Sequence, residues 1–540
     1  MSREAIPAKP KKLSTWQSLV KAFTSWRTAS VSLMSFSSGL PLGLVWIAIP
    51  DWMRDIGVDI RVVGLITLAQ APWTFKFLWA PLMDRYFPRR LGRRRGWIAI
   101  SQLALFAFTL MLAGVGHHPE TPWVVGALAL AIAFAAATQD IAVDAYAVDV
   151  LRPEEQALAV GARNFIYRIG MIWIAGGLAI TLAGTWGWPA VNAALALLYL
   201  PLLIVTWKAP EPLGLPEAPK TLKEAVWYPF LGFLSRHRAL EILSFVLLYK
   251  FADNLVQSLQ RPFLIDMGYN EVDRGVALST VGVVGNVFGT LVGGLLTAPL
   301  GLGRALWIFG FFQIFSNAGY AILAAQDDVN RPLMLAAIGF ETLSSGLGSG
   351  AFSVLLLRMT QKRFSATQYA LFSSLFGLPR ILSGPIAGYA AYAYGWEAFF
   401  WATLPVGIPG MILLSRFVPW NAREVDFQVE PPSLKKPLGR GELFLRGLAG
   451  TAVGTATAAA ITAALSALKV LRDNPAAPFD LLTPLVALVR PADGGGWLTL
   501  LGLLTFGIVC GLFTAAVTAA RHGAGQELAL EETRPDLTSG

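Results

Sequence analysis

Long apolar segments recur along almost the whole of this 540-residue chain. Each is close in length to the ~20 residues that an α-helix needs to cross a lipid bilayer, and we count about fourteen such segments. Only 14% of the residues are charged, whereas soluble domains carry about 25%. Since a backbone in lipid must satisfy its own hydrogen bonds, we predict an all-α polytopic membrane protein. The predicted spans lie near residues 29–50, 62–83, 96–115, 122–147, 157–184, 187–207, 239–265, 275–297, 303–325, 332–357, 364–392, 396–416, 444–470 and 496–520.

Two polar linkers divide these spans into groups of six, six and two. Two six-helix halves with the substrate between them are typical of the major facilitator fold, so we predict that fold with two extra C-terminal helices. The extra pair is rich in small residues that allow close helix packing, and we expect it outside the transport core. The predicted units are an amphipathic cytoplasmic or interfacial N-terminus (1–28), a six-helix bundle (29–207), a cytoplasmic linker (208–238), a second bundle (239–417), a linker (418–442), the accessory pair (443–521) and a cytoplasmic tail (522–540).

Lysine and arginine gather in alternate loops, at 85–95, 208–238 and 358–363, whereas the loops between them are short and poor in cations. By the positive-inside rule this distribution predicts that the basic loops and both termini lie in the cytoplasm. The net charge of +9 therefore indicates orientation rather than a nucleic-acid partner.

The chain lacks the residues that several kinds of chemistry require. The four histidines, His117, His118, His237 and His522, have no metal-ligand spacing, and there is no phosphate-binding GxxxxGK[ST] loop. The single cysteine, Cys510, excludes a disulfide within the chain. A membrane-embedded enzyme would need a large aqueous domain or paired acids in long loops, and the chain has neither. We therefore expect no enzyme activity, no cofactor and no metal.

Charged side chains lie inside six of the first twelve spans and avoid spans three, six, nine and twelve. An ion near the bilayer centre costs at least about 2.5–3.5 kcal/mol, so it normally faces a partner or an aqueous cavity. We predict that spans three, six, nine and twelve face lipid and that the others line a central cavity. The charged residues are Lys76 (second span), Asp140 and Asp144 (fourth), Arg163 and Arg168 (fifth), Lys250, Asp253 and Arg261 (seventh), Glu341 (tenth) and Arg380 (eleventh).

Two of these groups have alternative interpretations. Asp140 lies at about the depth of Arg163 across the turn 151–155, which predicts either a structural ion pair or one that opens as the cavity changes access. Glu341, near mid-depth, is a candidate proton carrier or a carboxylate held by a neighbouring helix. In the seventh span, Lys250 begins a polar stripe at helical spacing that we interpret as cavity wall.

Residues 80–85 and 92–95, after the second span, resemble the major facilitator signature between helices 2 and 3, with Ala80 replacing the usual leading glycine. Longer segments resemble the AmpG muropeptide permeases. This resemblance is specific in the first six spans and extends to about residue 416. The segments are Ser38-Gly39-Leu40-Pro41-Leu42, residues 75–86 and 92–97, Gln139-Asp140-Ile141 with Asp144-Ala145, and Tyr167-Arg168-Ile169-Gly170-Met171.

The resemblance implies a bacterial inner-membrane, proton-driven importer of anhydro-muropeptides for cell-wall recycling, and we expect a monomer. The alternatives are a carrier of another anionic solute, such as an acetyl-CoA-like or nucleotide compound, a drug exporter, or a non-transporting sensor. Our hypotheses assign substrate binding to Lys76, Trp73, Trp79, Gln139, Lys250, Asn254, Gln257, Arg261 and Arg380, proton coupling or gating to Asp140, Asp144, Arg163, Arg168, Asp253 and Glu341, and the signature loop to Asp84, Arg85, Gly92, Arg93 and Arg94.

Overall fold

The computed structural model describes residues 25–59, 66–88, 91–116, 122–211, 217–427, 438–474 and 478–524. Within these ranges the regular structure is helical, without a β-strand, which confirms the predicted all-α class. Among the described residues, eleven helices are long and apolar enough to cross a membrane. Most of the predicted amphipathic N-terminus and of the C-terminal tail lies outside the described residues.

The second span of the first bundle is interrupted. Two short helices, α2 and α3, are joined by a 3₁₀ turn at Lys76–Leu78. Pro72 and Pro81 occupy the first turns of these helices, where the missing proline N–H removes no helical hydrogen bond. The helices of this bundle are α1 (Trp26–Asp55), α2 (Ala71–Phe75), α3 (Ala80–Arg85), α4 (Arg95–Gly114), α5 (Pro122–Val150), α6 (153–186) and α7 (Trp188–Lys208).

The second bundle follows the linker helix α8, and its first span is also interrupted. That span breaks at Tyr249 and Lys250, where Lys250 leaves helical geometry at φ −107° and ψ 5°. The predicted eleventh span is one helix of 30 residues, α14. The helices are α8 (Leu222–Leu234), α9 (Ala239–Leu248), α10 (Phe251–Asp266), α11 (Val272–Leu300), α12 (Leu302–Ala324), α13 (Arg331–Met359), α14 (Ser365–Tyr394) and α15 (Trp396–Phe417).

The C-terminal helices are α16 (Arg440–Asp473), α17 (Leu482–Val489) and α18 (Gly494–Arg521). Small residues let α16 and α18 approach closely, for example Gly454 against the side chain of Cys510. The pair also contacts α14 and the linker helix α8. At the end of α8, the hydroxyl of Ser235 donates to the carbonyl of Ala524 at 3.0 Å.

The two bundles meet through α3, α5 and α6 on one side and α11, α13 and α14 on the other. The beginnings of α6 and α14 and the ends of α3 and α5 lie at one membrane side. We call this side the basic face, defined by residues 86–88, 91–94, 151–152 and 360–364.

Glycines set the distance between α1 and α6 inside the first bundle. Gly39 and Gly43 of α1 lie against the main chain of Tyr167 and Met171, and Gly170 of α6 lies against the carbonyl of Phe36. A Cβ atom at Gly39 would overlap the carbonyl oxygen of Tyr167. The close approach therefore requires glycine at this position.

We expect Gly39→Ala to lower the free energy of unfolding by about 1–3 kcal/mol, because the added methyl group forces the two helices apart. The measurement is the Tm of the purified protein in detergent. Gly184→Ala in α6 is the matched control, since its added Cβ would have no atom within 4 Å. Equal Tm values for the two variants would contradict the packing argument.

Candidate functional site

Asp84, at the end of α3, joins the two halves at the basic face. Its fully buried carboxylate accepts hydrogen bonds from Arg93 and Arg94 of its own half, at 3.3 and 2.7 Å. From the other half it accepts the backbone N–H and the hydroxyl of Thr367, at 2.8 and 2.6 Å. Hydrogen bonds to an ionised acceptor are about twice as strong as neutral ones. The carboxylate therefore holds the first turn of α14 against the first bundle.

Arg94 extends this contact to a second buried carboxylate, Asp149 at the end of α5. Its Nε donates to Asp149 at 2.8 Å, and a terminal nitrogen donates to Asp84 and to the Ser365 hydroxyl, both at 2.7 Å. Ser365 itself donates to Asp149 at 2.7 Å. Buried ions need such mutual compensation. Here the compensating groups come from both halves.

The remaining signature residues support the same loop. Arg93 donates to the main-chain carbonyl of Arg363 at 2.7 Å, whereas the guanidinium of Arg85 lies over the ring of the next residue, 5.4 Å from its centroid. Gly92 has φ +87°, a left-handed conformation that side chains disfavour, and it packs closely on the carboxylate of Glu211.

A second ion cluster lies further from the basic face. Asp144 of α5 pairs with Lys76 at 3.4 Å and with Arg163. Tyr369 of α14 lies beside this cluster, close to Asp144 and Arg163. The cluster therefore forms a second layer of contact between the halves.

The prediction that Arg163 pairs with Asp140 is wrong, because Arg163 pairs with Asp144 instead. Side chains on a helix point towards its N-terminus, and α6 begins at the basic face. The Arg163 side chain is therefore directed towards that face and reaches Asp144, about one turn closer to it than Asp140. Asp140 instead lies beside Ser38 of α1.

The seventh and tenth spans share a buried polar network. Lys250 pairs with Asp253 at 3.0 Å and donates to the main-chain carbonyl and hydroxyl of Ser345, at 2.6 and 3.0 Å. The amide nitrogen of Gln257 bridges the Ser345 hydroxyl at 3.0 Å and Glu341 at 2.9 Å. The polar stripe of the seventh span thus bonds mainly to α13.

Glu341 is fully buried and is held by neutral groups. Besides Gln257, it accepts a hydrogen bond from the amide of Gln260 at 3.0 Å. The same amide donates to the hydroxyl of Tyr320 at 2.8 Å. Among the described residues Glu341 forms no ion pair, in contrast to Asp144 and Asp253.

Two predicted substrate-binding residues are used in packing within the first bundle. The ring N–H of Trp79 donates to the Thr138 hydroxyl at 3.2 Å, and the ring stacks on Phe134 at 4.8 Å. Gln139 is fully buried and donates to Ser38 at 3.1 Å. Both therefore contribute to the packing around α5, and their role in substrate binding stays a prediction.

The other predicted binding residues are more open. Gln257, Arg261 and Arg380 are exposed, Trp73 and Asn254 are partly buried, and the ring of Trp73 lies edge-on to that of Trp46 at 6.3 Å. Within the described part of the chain, no group of three or more His, Cys, Asp or Glu side chains could hold a metal ion.

Hydroxyl and amide groups complete the contacts between helices, and the pattern of charges does not predict them. The hydroxyls at the start of α14, in Ser365-Ala-Thr367-Gln-Tyr369, were the available signal in the sequence. The neutral residues that were not predicted are Ser38, Gln260, Tyr320, Ser365, Thr367 and Tyr369.

Comparison with known proteins identifies the family. The model described as Major Facilitator Superfamily matches residues 31–384, more than half of the chain. The chain belongs to the major facilitator superfamily. The predicted fold class is thereby confirmed, and the two C-terminal helices α16 and α18 lie beyond the matched segment.

This major facilitator protein is similar to several bacterial relatives. It is 40% identical over 397 residues to the anhydromuropeptide permease of Escherichia coli K12. The matched segment covers 73% of this chain and 80% of the relative. It is 36% identical over 390 residues to an uncharacterised Haemophilus influenzae protein (70% and 91%), and 28% identical over 407 residues to the putative transporter AmpG 4 of Rickettsia conorii (73% and 97%). The AmpG-like resemblance predicted from sequence is confirmed.

We expect Thr367→Val to shift the protein towards a form that is open at the basic face. The variant removes one hydrogen bond to an ionised acceptor, a loss of about 1.5–3 kcal/mol and so at least about tenfold in population. Spin labels at Arg152→Cys and Lys362→Cys, both exposed and in opposite halves, measure the opening in a Cys510→Ser background.

Ser373→Ala is the control for this measurement, because the Ser373 hydroxyl bonds only to the carbonyl of Ala370 in its own helix. We expect its label distances to match those of the parent protein. An unchanged distance distribution in Thr367→Val would show that the Asp84 contact does not hold the halves together.

Proposed function

We propose that this protein imports anhydro-muropeptides, the disaccharide GlcNAc-anhydro-MurNAc and its peptides, from the periplasm to the cytoplasm, driven by protons, for peptidoglycan recycling. The observation that carries the proposal is the 40% identity with the Escherichia coli anhydromuropeptide permease over 397 residues. The ligand offers hydroxyl, amide and carboxylate groups, which suit a cavity with exposed amide and guanidinium side chains.

We place the protein in the bacterial inner membrane with the basic face and both termini in the cytoplasm. The concentration of Lys and Arg in loops on that face supports this orientation. In this orientation the Asp84 and Asp144 clusters close the cytoplasmic side. A ligand then enters from the periplasm, and import requires these contacts between halves to break. One chain supplies both halves of the cavity, so a monomer suffices.

We assign proton coupling to Glu341. A carboxylate buried among neutral donors has no permanent counter-ion, so protonation removes a charge that burial disfavours. The ion-paired acids Asp144 and Asp253 differ, because protonating either one would leave a buried cation uncompensated. Gln257 is exposed and bonded to Glu341, so it is placed to link ligand binding to this carboxylate.

A second function of the same class is transport of another anionic solute, such as an acetyl-CoA-like or nucleotide compound. The exposed arginines Arg261 and Arg380 favour any ligand with anionic oxygens, because guanidinium groups bind carboxylate and phosphate alike. An exporter of amphipathic drugs is less consistent with the number of cavity charges.

The proposal predicts that cells lacking their own muropeptide importer take up labelled GlcNAc-anhydro-MurNAc-tripeptide when they express this protein. A protonophore should abolish accumulation, because the proton gradient supplies the driving force. Accumulation that persists with the protonophore would contradict proton coupling. The absence of uptake at normal protein levels would contradict the proposed substrate. Competition by acetyl-CoA or ADP would favour the alternative ligand class.

Glu341→Gln should lose accumulation against a gradient but retain exchange of labelled for unlabelled ligand, because glutamine resembles the protonated acid. Counterflow in proteoliposomes measures the exchange. The matched control is Glu397→Gln, at an exposed helix end, which should behave like the parent. Protonophore-sensitive accumulation at the parental level in Glu341→Gln would exclude this residue as the proton carrier.

A further inference from the structure

The cations of the cavity fall into two groups. Lys76 and Arg163 share Asp144, and Lys250 pairs with Asp253. By contrast, Arg168, Arg261 and Arg380 form no ion pair or side-chain hydrogen bond with any described residue. A charge inside a membrane protein needs a partner or water. The three arginines are therefore the cavity cations still able to bind an anion.

Arg168 lies on the face of α6 that points towards the second half. At the basic face, Ala157 and Gly161 of this helix lie against Gly294 of α11, and Gly161 also meets Leu291. Arg168 follows Gly161 by seven residues, which returns the side chain to the same face within about 20°. The face of α6 that contacts α11 near the basic face thus also includes Arg168, in the middle of the helix.

Arg380 occupies the matching position on α14. Tyr369 of that helix lies beside the ion cluster of the first half, close to Asp144 and Arg163. Arg380 follows Tyr369 by eleven residues, three turns plus about 20°, so it lies on the same side of α14. The side chain is exposed, and a Cβ placed at the neighbouring Gly377 would meet open space.

The two arginines lie at the same depth. Arg168 is fifteen residues beyond the start of α6 at Pro153, and Arg380 is fifteen residues beyond the start of α14 at Ser365. Both therefore lie about 22 Å along their helices from the basic face. They are close enough for their positive charges to repel one another. An anion between them would replace this repulsion by two attractions.

We propose that Arg168 and Arg380, one from each half, form a single binding site for a carboxylate of the transported ligand. This inference rests on the proposed function and names the part of the ligand that the cavity recognises. The planar guanidinium group binds carboxylates in a bidentate manner, which gives both charge and orientation. A carboxylate held by both halves favours their approach and ties occupancy to the change of access. Lys76 and Lys250, which we also predicted to bind substrate, are paired with Asp144 and Asp253.

The test measures binding of GlcNAc-anhydro-MurNAc-tripeptide to the full chain in nanodiscs, and of the same ligand with its peptide carboxylates converted to carboxamides. The parent should bind the acid at least ~10-fold more tightly than the amide, because two charge-assisted contacts are lost. Arg168→Gln and Arg380→Gln should each bind the acid ~10-fold more weakly and discriminate poorly between the two ligands. Arg168→Lys and Arg380→Lys should restore part of the discrimination. Lys469→Gln, which removes an exposed charge from α16, is the control and should behave like the parent.

A parental ratio of acid to amide binding in both glutamine variants would overturn the site while leaving muropeptide transport intact. If the parent binds no muropeptide, the proposed function fails, and the site is tested without ligand. Relief of repulsion predicts a higher Tm for unliganded Arg168→Gln and Arg380→Gln than for the parent and Lys469→Gln. A lower Tm in both would show that the two arginines have stabilising partners and would overturn the proposal.

Discussion

The contact between the halves depends on keeping buried ions compensated at the basic face. Asp84 and Asp149 lie at the ends of α3 and α5, where an unpaired carboxylate would be costly. Arg94 neutralises both, and hydroxyl and backbone donors from the first turn of α14 complete their hydrogen bonds. Each half therefore lacks some of the donors that its partner supplies, which makes the contact specific and also reversible.

The pairing of buried ions also differs between the two depths of the cavity. Close to the basic face the ions form pairs and networks that exclude a ligand. Further along α6 and α14 the pairing stops, and Arg168 and Arg380 form no ion pair with any described residue. Our proposal places the gate where the charges are paired and ligand binding where they are unpaired.

The accessory helices contact the gate indirectly. Helix α18 packs on the linker helix α8 through Leu231 and Ala519. The linker helix also contacts α14, where the Gln368 amide donates to the carbonyl of Pro229 at 2.9 Å. The extra pair therefore contacts both the linker helix and α14, which carries donors to Asp84 and Asp149.

The sequence by itself determined the class of protein, because a bilayer allows only self-satisfied helices and penalises charges outside a cavity. The apolar runs predicted the helices and the family, and the spacing of buried charges predicted which helices carry polar chemistry. The positions at which the second and seventh spans are interrupted were less predictable. Pro72 and Pro81 are visible in the sequence, whereas no proline or glycine marks the break at Lys250, whose side chain bonds to Ser345 of α13.

Only the tertiary structure decided the partners. Arg163 was expected near Asp140 from depth alone, but the direction of its side chain on α6 brings it to Asp144. Trp79 and Gln139 were predicted to bind substrate, and packing against α1 and α5 occupies them. Neutral donors such as Thr367 and Gln260 carry no signal in a pattern of charges. Pairing depends on side-chain direction and on contacts between distant segments, which the one-dimensional spacing of residues does not contain.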